Sequence, residues 1–154
     1  MNKIILDKKQ ILEFQQNRDP YLFVDFATEI IPGVSAKGYK KFLNNDWFFK
    51  VHWPKDPNVP GMLQIESLVQ MSSLAIVTLP KLKNKILYLV SATDLKFSKK
   101  ITPDDTLFME TFVKSFKRGM ANVEGFGYLD KSLACKAKFT LILPDLVKSY
   151  SLKS

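Results

Sequence analysis

An α+β fold, in which antiparallel strands flank one buried central helix, is what the order of elements predicts. Three observations carry that expectation. From Met62 to Leu79 apolar residues fall on almost every face of a helix, and a helix that is apolar nearly all round is a buried one. Strand-like segments precede this helix and follow it, instead of alternating with further helices. The 154 residues, 46% hydrophobic and 25% charged, have an ordinary globular composition and suit one domain, 1–154, with a real core.

Taken in order, the first element is a short helix over about 7–15. Asp7-Lys8-Lys9-Gln10 places a good cap three residues before a Gln, a capping-box pattern, and Ile11, Leu12 and Phe14 would dock the helix on the domain. Asn17 to Pro20 is a break. Tyr21 to Ile31 is rich in aromatic and aliphatic residues and reads as a strand running to the Pro32-Gly33 turn, with Val34 to Leu43 as the returning strand. Trp47, Phe48 and Phe49 then form an apolar cluster. The central helix occupies about 61–79: Pro60 suits a first turn, where its missing N–H costs nothing, and Pro80 marks the stop. Beyond a lysine-rich loop, Ile86 to Phe97 is strand-like and Leu107 to Phe116 alternates with both faces partly covered. Ala121 to Leu129 pairs with Leu133 to Leu143 across Asp130-Lys131-Ser132. The tail, about 146–154, is polar and expected to fray.

Met1-Asn2-Lys3 leads into only three apolar residues before Asp7 and two lysines, so neither a secretory segment nor a membrane span is expected, and a cytoplasmic protein is. The net charge of +8 implies a basic surface that suits acidic partners or simple solubility, and no nucleic-acid motif accompanies it. The lone Cys135 falls on the apolar face of an alternating run, as a buried, inert thiol would. With one His and one Cys, no metal site is expected.

The chemistry concentrates at His52, the only histidine, and Glu66, fourteen residues on (66 − 52 = 14). Glu66, Gln70 and Ser73 stand at i, i+4 and i+7 and make one polar stripe on an apolar helix. A carboxylate there costs several kcal/mol unless it is paired, hydrogen-bonded or protonated. A structural glutamate bonded to backbone or to Gln70 accounts for Glu66 alone equally well, and a lone His is more often structural. The Val-Pro-Gly turn between the two shifts the balance to a site.

His52-Trp53-Pro54, Pro57, Val59-Pro60-Gly61-Met62-Leu63, Ile65-Glu66 and Gln70 resemble the H-F-P-x-x-P-x-x-P-G-x-L-x-x-E-x-x-x-Q signature of the FabZ-type β-hydroxyacyl-acyl-carrier-protein dehydratases. Arg18-Asp19-Pro20-Tyr21-Leu22-Phe23-Val24-Asp25 is similar to the family's R-Y-P-F-L-L-V-D. Leu95-Lys96-Phe97 and Ile101-Thr102-Pro103-Asp104-Asp105 resemble its V-K-F-R-R-P-V-V-P-G-D, so nearly the whole chain is covered in order. The departures include Val51 for Gly, Trp53 for Phe, Lys55 for Gly and Asn17 for His.

The resemblance implies a hot-dog fold, a curved antiparallel sheet wrapped round the central helix. It implies dehydration of (3R)-3-hydroxyacyl-acyl-carrier-protein to the trans-2-enoyl product without a cofactor, in fatty-acid or related lipid biosynthesis. His52 would be the base and Glu66, from the other subunit of a homodimer or trimer of dimers, the acid. Gly61 would bind the thioester oxygen, Gln70 would support Glu66, and Phe48, Phe49, Trp53 and Met62 would line the acyl tunnel. Lys96, Lys99 and Lys100 would meet the acidic carrier. Two alternatives stand beside this: a thioesterase, and a non-catalytic acyl-binding or carrier-binding homologue.

Overall fold

The structure, a computed structural model, describes residues 2–151. Its strands are β1 (Ile4–Leu6), β2 (Phe26–Ile31), β3 (Ser35–Lys41), β4 (Tyr88–Phe97), β5 (Thr106–Lys117), β6 (Met120–Leu129) and β7 (Ser132–Ile142). Its helices are α1 (Lys8–Phe14), α2 (Gly61–Val77) and α3 (Pro144–Ser151), with a 3-10 turn at Trp47–Lys50. The strands form one antiparallel sheet in the order β1-β2-β3-β5-β6-β7-β4. The sheet bends over α2, which packs against β2, β3, β5, β6 and β7, and this is the hot-dog arrangement.

The core lies between α2 and the concave face of the sheet. Ile65, Leu68, Met71, Leu74 and Ile76 of α2 are fully buried. At roughly 1.5–3 kcal/mol for each such side chain, they contribute on the order of 10 kcal/mol of apolar burial. The facing strands carry small residues where the helix comes closest. A Cβ on Gly125 would stand 3.2 Å from the Leu68 Cβ, tighter than ordinary contact, so a side chain there would press on the helix.

The capping box at α1 is present in full: Gln10 N–H donates to Asp7 Oδ1, and Asp7 N–H donates to Gln10 Oε1. The central helix ends two residues before the predicted boundary, with Thr78 as its C-cap donating its hydroxyl to the Leu74 carbonyl. The hairpin of β6 and β7 turns at Asp130, as read from the sequence.

Three elements differ from the sequence reading. β1 went unpredicted because three apolar residues show no period; pairing with β2 makes it a strand. β2 starts at Phe26, not Tyr21, because a side chain takes the backbone positions that a strand partner would fill. Phe23 N–H donates to Gln70 Oε1 (2.7 Å), and Gln70 Nε2 donates to the Tyr21 carbonyl (2.9 Å). The tail expected to fray forms α3, seated by N–H bonds from Leu146 and Val147 to the Leu143 carbonyl; 152–154 lie outside the described residues. No helix among the described residues is long and apolar enough to cross a membrane.

Candidate active site

His52 stands just after the 3-10 turn, its N–H bonded to the Phe48 carbonyl (2.7 Å). The turn buries Phe48 and Phe49 in the core and leaves Lys50 and Val51 outside, which carries the half-buried His52 to the surface of the apolar cluster. The loop beyond it is tied back by Val59 N–H to the Ile101 carbonyl (2.8 Å) and by the Lys100–Asp56 ion pair. This loop places the Asn58 carbonyl 3.0 Å from His52 Nδ1. A carbonyl oxygen only accepts, so Nδ1 carries the proton of the neutral ring and Nε2 is left with its lone pair.

α2 begins directly after that loop. The Pro60 carbonyl accepts the N–H groups of Leu63 and Gln64, and no side chain caps the helix start. The N–H groups of Gly61 and Met62 precede the first intrahelical bonds and stand at the positive end of the helix dipole. Gln64 Nε2 donates to the Val59 carbonyl (3.2 Å) and braces the turn. A Cβ on Gly61 would lie 3.1 Å from the Phe97 ring, so the last residue of β4 sits over the helix start.

Glu66 lies one turn further along α2, half-buried, where Gln70 Nε2 donates to its Oε1 (2.9 Å). Burial pushes its carboxyl above the usual carboxylate range, and the Gln70 hydrogen bond offsets part of the rise. The phenol of Tyr21 is raised as well, by burial and then by the charge of Glu66. Tyr21 was not singled out in the sequence; its place in the Arg18–Asp25 motif was the available signal.

Two open pockets meet at Asn58 and Lys100, which line both. One, about 620 Å³, is bounded by Trp53, Pro54, Lys55 and Asp56; the other, about 420 Å³, by Val59, Gly61, Gln64, Phe97, Ser98 and Lys99. Lys99 and Lys100 therefore border the helix start, whereas Lys96 lies within β4. Phe48 and Phe49 are core residues, while Trp53 and Met62 are each 62% exposed, so the four do not wall one space in a single chain. Among the described residues, no hydrogen bond or ion pair joins His52 to Glu66, and no three His, Cys, Asp or Glu side chains converge as metal ligands would. Cys135 is buried, its thiol pushed up to about 12 by desolvation.

The FabA-like domain model matches residues 17–138. The 3-hydroxyacyl-[acyl-carrier-protein] dehydratase FabZ of Clostridium novyi (strain NT) is 34% identical over 139 residues, covering 86% of this chain and 95% of the relative. The chain belongs to the FabZ-type branch of the FabA-like family. The FabZ of Lactobacillus helveticus (strain DPC 4571) is 35% identical to this FabA-like chain over 141 residues, 92% of it and 95% of the relative. The dehydratase heterocomplex ApeI:P from Xenorhabdus doucetiae shares the fold, with a TM-score of 0.70 at 11% identity over 94% of this chain and 97% of that one.

Proposed function

We propose that this FabA-like chain dehydrates 3-hydroxyacyl-acyl-carrier-protein to the 2-enoyl thioester, with His52 as base and Glu66 as acid. The protein is a hydro-lyase of fatty-acid biosynthesis. The observation that carries the residue roles is the Asn58 carbonyl on His52 Nδ1, which leaves Nε2 as a proton acceptor. Nε2 takes the proton from C2. Charge grows on the thioester oxygen, where the Gly61 N–H at the positive end of α2 stabilises it. Glu66, whose carboxyl burial holds above the usual carboxylate range, gives its proton to the C3 hydroxyl, the C3–O bond breaks, and water leaves as the C2–C3 double bond forms.

Glu66 reaches His52 from a second copy. β4 is the last strand of the sheet, bonded to β7 on one side only, and its exposed outer surface carries Tyr88, Leu89, Val90, Leu95 and Phe97. Such a long apolar edge pairs with a like edge. A second copy added there would enclose Trp53 and Met62 as tunnel wall and leave Lys96, Lys99 and Lys100 at its mouth for the acidic carrier.

The test is the loss of water, read by mass, from 3-hydroxyacyl-carrier thioesters. His52→Ala and Glu66→Gln are each expected to lose roughly 10²–10⁴-fold in turnover while remaining folded dimers. Wild-type turnover in either variant, or release of free thiol in place of the enoyl thioester, overturns the assignment.

A further inference from the structure

The mechanism draws on the pocket at Gly61; its larger neighbour, about 620 Å³, has a chemistry of its own. Its walls are Trp53, Pro54, Lys55, Asp56, Asn58 and Lys100. Trp53 and Pro54 give it apolar surface, and the indole is 62% exposed. A turn closed by the Asp56 N–H on the Trp53 carbonyl (2.8 Å) holds Trp53 at φ 56°, a left-handed conformation that a bulky side chain takes only where its surroundings impose it. Asp56 and Lys100 form an ion pair with each other. Among the described residues Lys55 has no such partner, so its ammonium supplies the net charge of the pocket. Glycine stands at this position in the signature that the sequence resembles, so the cation is particular to this chain.

The two pockets share Asn58 and Lys100, and the space at Gly61 therefore runs into this one. Gly61 lies six residues beyond Lys55 (61 − 55 = 6). Six residues span at most about 20 Å of chain. A thioester whose oxygen meets the Gly61 N–H has its sulfur substituent, a pantetheine arm, within reach of Lys55. That arm carries two amides, then a carbon with two methyl groups, then a phosphate. An apolar wall followed by a lone cation is the complement of its far end.

We propose that this pocket takes the far end of the arm, with the paired methyl groups against Trp53 and Pro54 and the phosphate on Lys55. Trp53 then walls the mouth of the tunnel, where Lys100 also stands. The phosphate is common to carrier-bound and coenzyme A thioesters, and the site recognises it in either. The inference rests on the acyl-thioester reading above.

The test is calorimetric binding of dodecanoyl-pantetheine and dodecanoyl-phosphopantetheine, neither of which the enzyme can dehydrate. The wild type is expected to bind the phosphorylated arm roughly tenfold more tightly at low ionic strength, and by less at high. Lys55→Gln should remove that preference and Lys55→Arg should keep it. Lys131→Gln, an equal loss of charge in the turn between β6 and β7, should also keep it. Equal affinities in the wild type, a preference that survives Lys55→Gln, or one lost equally in Lys131→Gln overturns the proposal. Lys55→Gln should weaken dodecanoyl-coenzyme A and the dodecanoyl carrier thioester by the same factor. A loss confined to coenzyme A would assign the pocket to its nucleotide and overturn the proposal. Indifference to the phosphate in a protein that still dehydrates 3-hydroxyacyl carrier thioesters overturns this proposal alone. A preference that depends on Lys55 in a protein that dehydrates nothing overturns the earlier reading alone.

Discussion

The sheet has two free edges, and they are built oppositely. β1 is three residues long, has an irregular register against β2, runs straight into the cap of α1, and has Lys3 just ahead of it paired with Glu29 at 2.6 Å. β4 is ten residues long and, although its register against β7 also shifts and it carries Asp94 and Lys96, it shows Tyr88, Leu89, Val90, Leu95 and Phe97 to solvent. Shortness is one way in which proteins blunt an edge that must stay single. β4 has length and apolar surface instead, which the proposed pairing with a second copy would cover. The edge left open is also the one whose last residue sits over the start of α2.

That contrast gives its own tests. The largest effect is expected from Val90→Asp, which sets a charge in the open edge: it should yield monomers by light scattering and cut dehydration roughly 100-fold or more, since the acid would no longer reach the base. Ile5→Asp, the same change on β1, should stay within about 0.5 kcal/mol of wild-type stability and leave the dimer intact. If both variants remain dimeric and active, the two edges are equivalent and the contrast fails. A middling effect is expected at the end of β4. Reversing Lys96, Lys99 and Lys100 to Glu should weaken carrier binding roughly tenfold at low salt and less at high salt, measured by titration across ionic strength. Unchanged affinity would remove these lysines from the docking surface.

The smallest effect concerns pH. Glu66 is held above its ordinary 4.5 mainly by burial within its own chain. The native state keeps that proton after the unfolded chain has released it. Stability from this group is therefore undiminished below the unfolded value and falls as pH rises from there through the raised one. Glu66→Gln should flatten that part of the curve of denaturation midpoint against pH. The slope should survive in monomeric Val90→Asp, because the burial that causes it does not depend on a partner. A slope that vanishes on dissociation would move the cause to the second copy.

What could be read without coordinates was what residues say locally. The Asp7-to-Gln10 cap, the all-round apolarity of 62–79 and the alternation on either side of Asp130 each carry their structure within a few residues. The elements that escaped depend on distant partners. β1 exists through β2, and the late start of β2 depends on Gln70, almost fifty positions away, occupying the backbone of Tyr21 and Phe23. The site divides in the same way. His52, Glu66, Gly61 and Gln70 stand out by type and spacing, and the resemblance names their roles. The contact that decides which nitrogen of His52 is free is made by a peptide group, and that Lys55 and Lys100 border one pocket shows only in the fold.

The Asn58 oxygen on His52 belongs to the main chain, so any amino acid at position 58 would offer it. Drift in the loop can therefore change the side chains around the imidazole without altering where its hydrogen resides. What protects that arrangement is the path of the backbone, pinned at Val59 to Ile101, and it is there that an insertion or deletion would silence the ring.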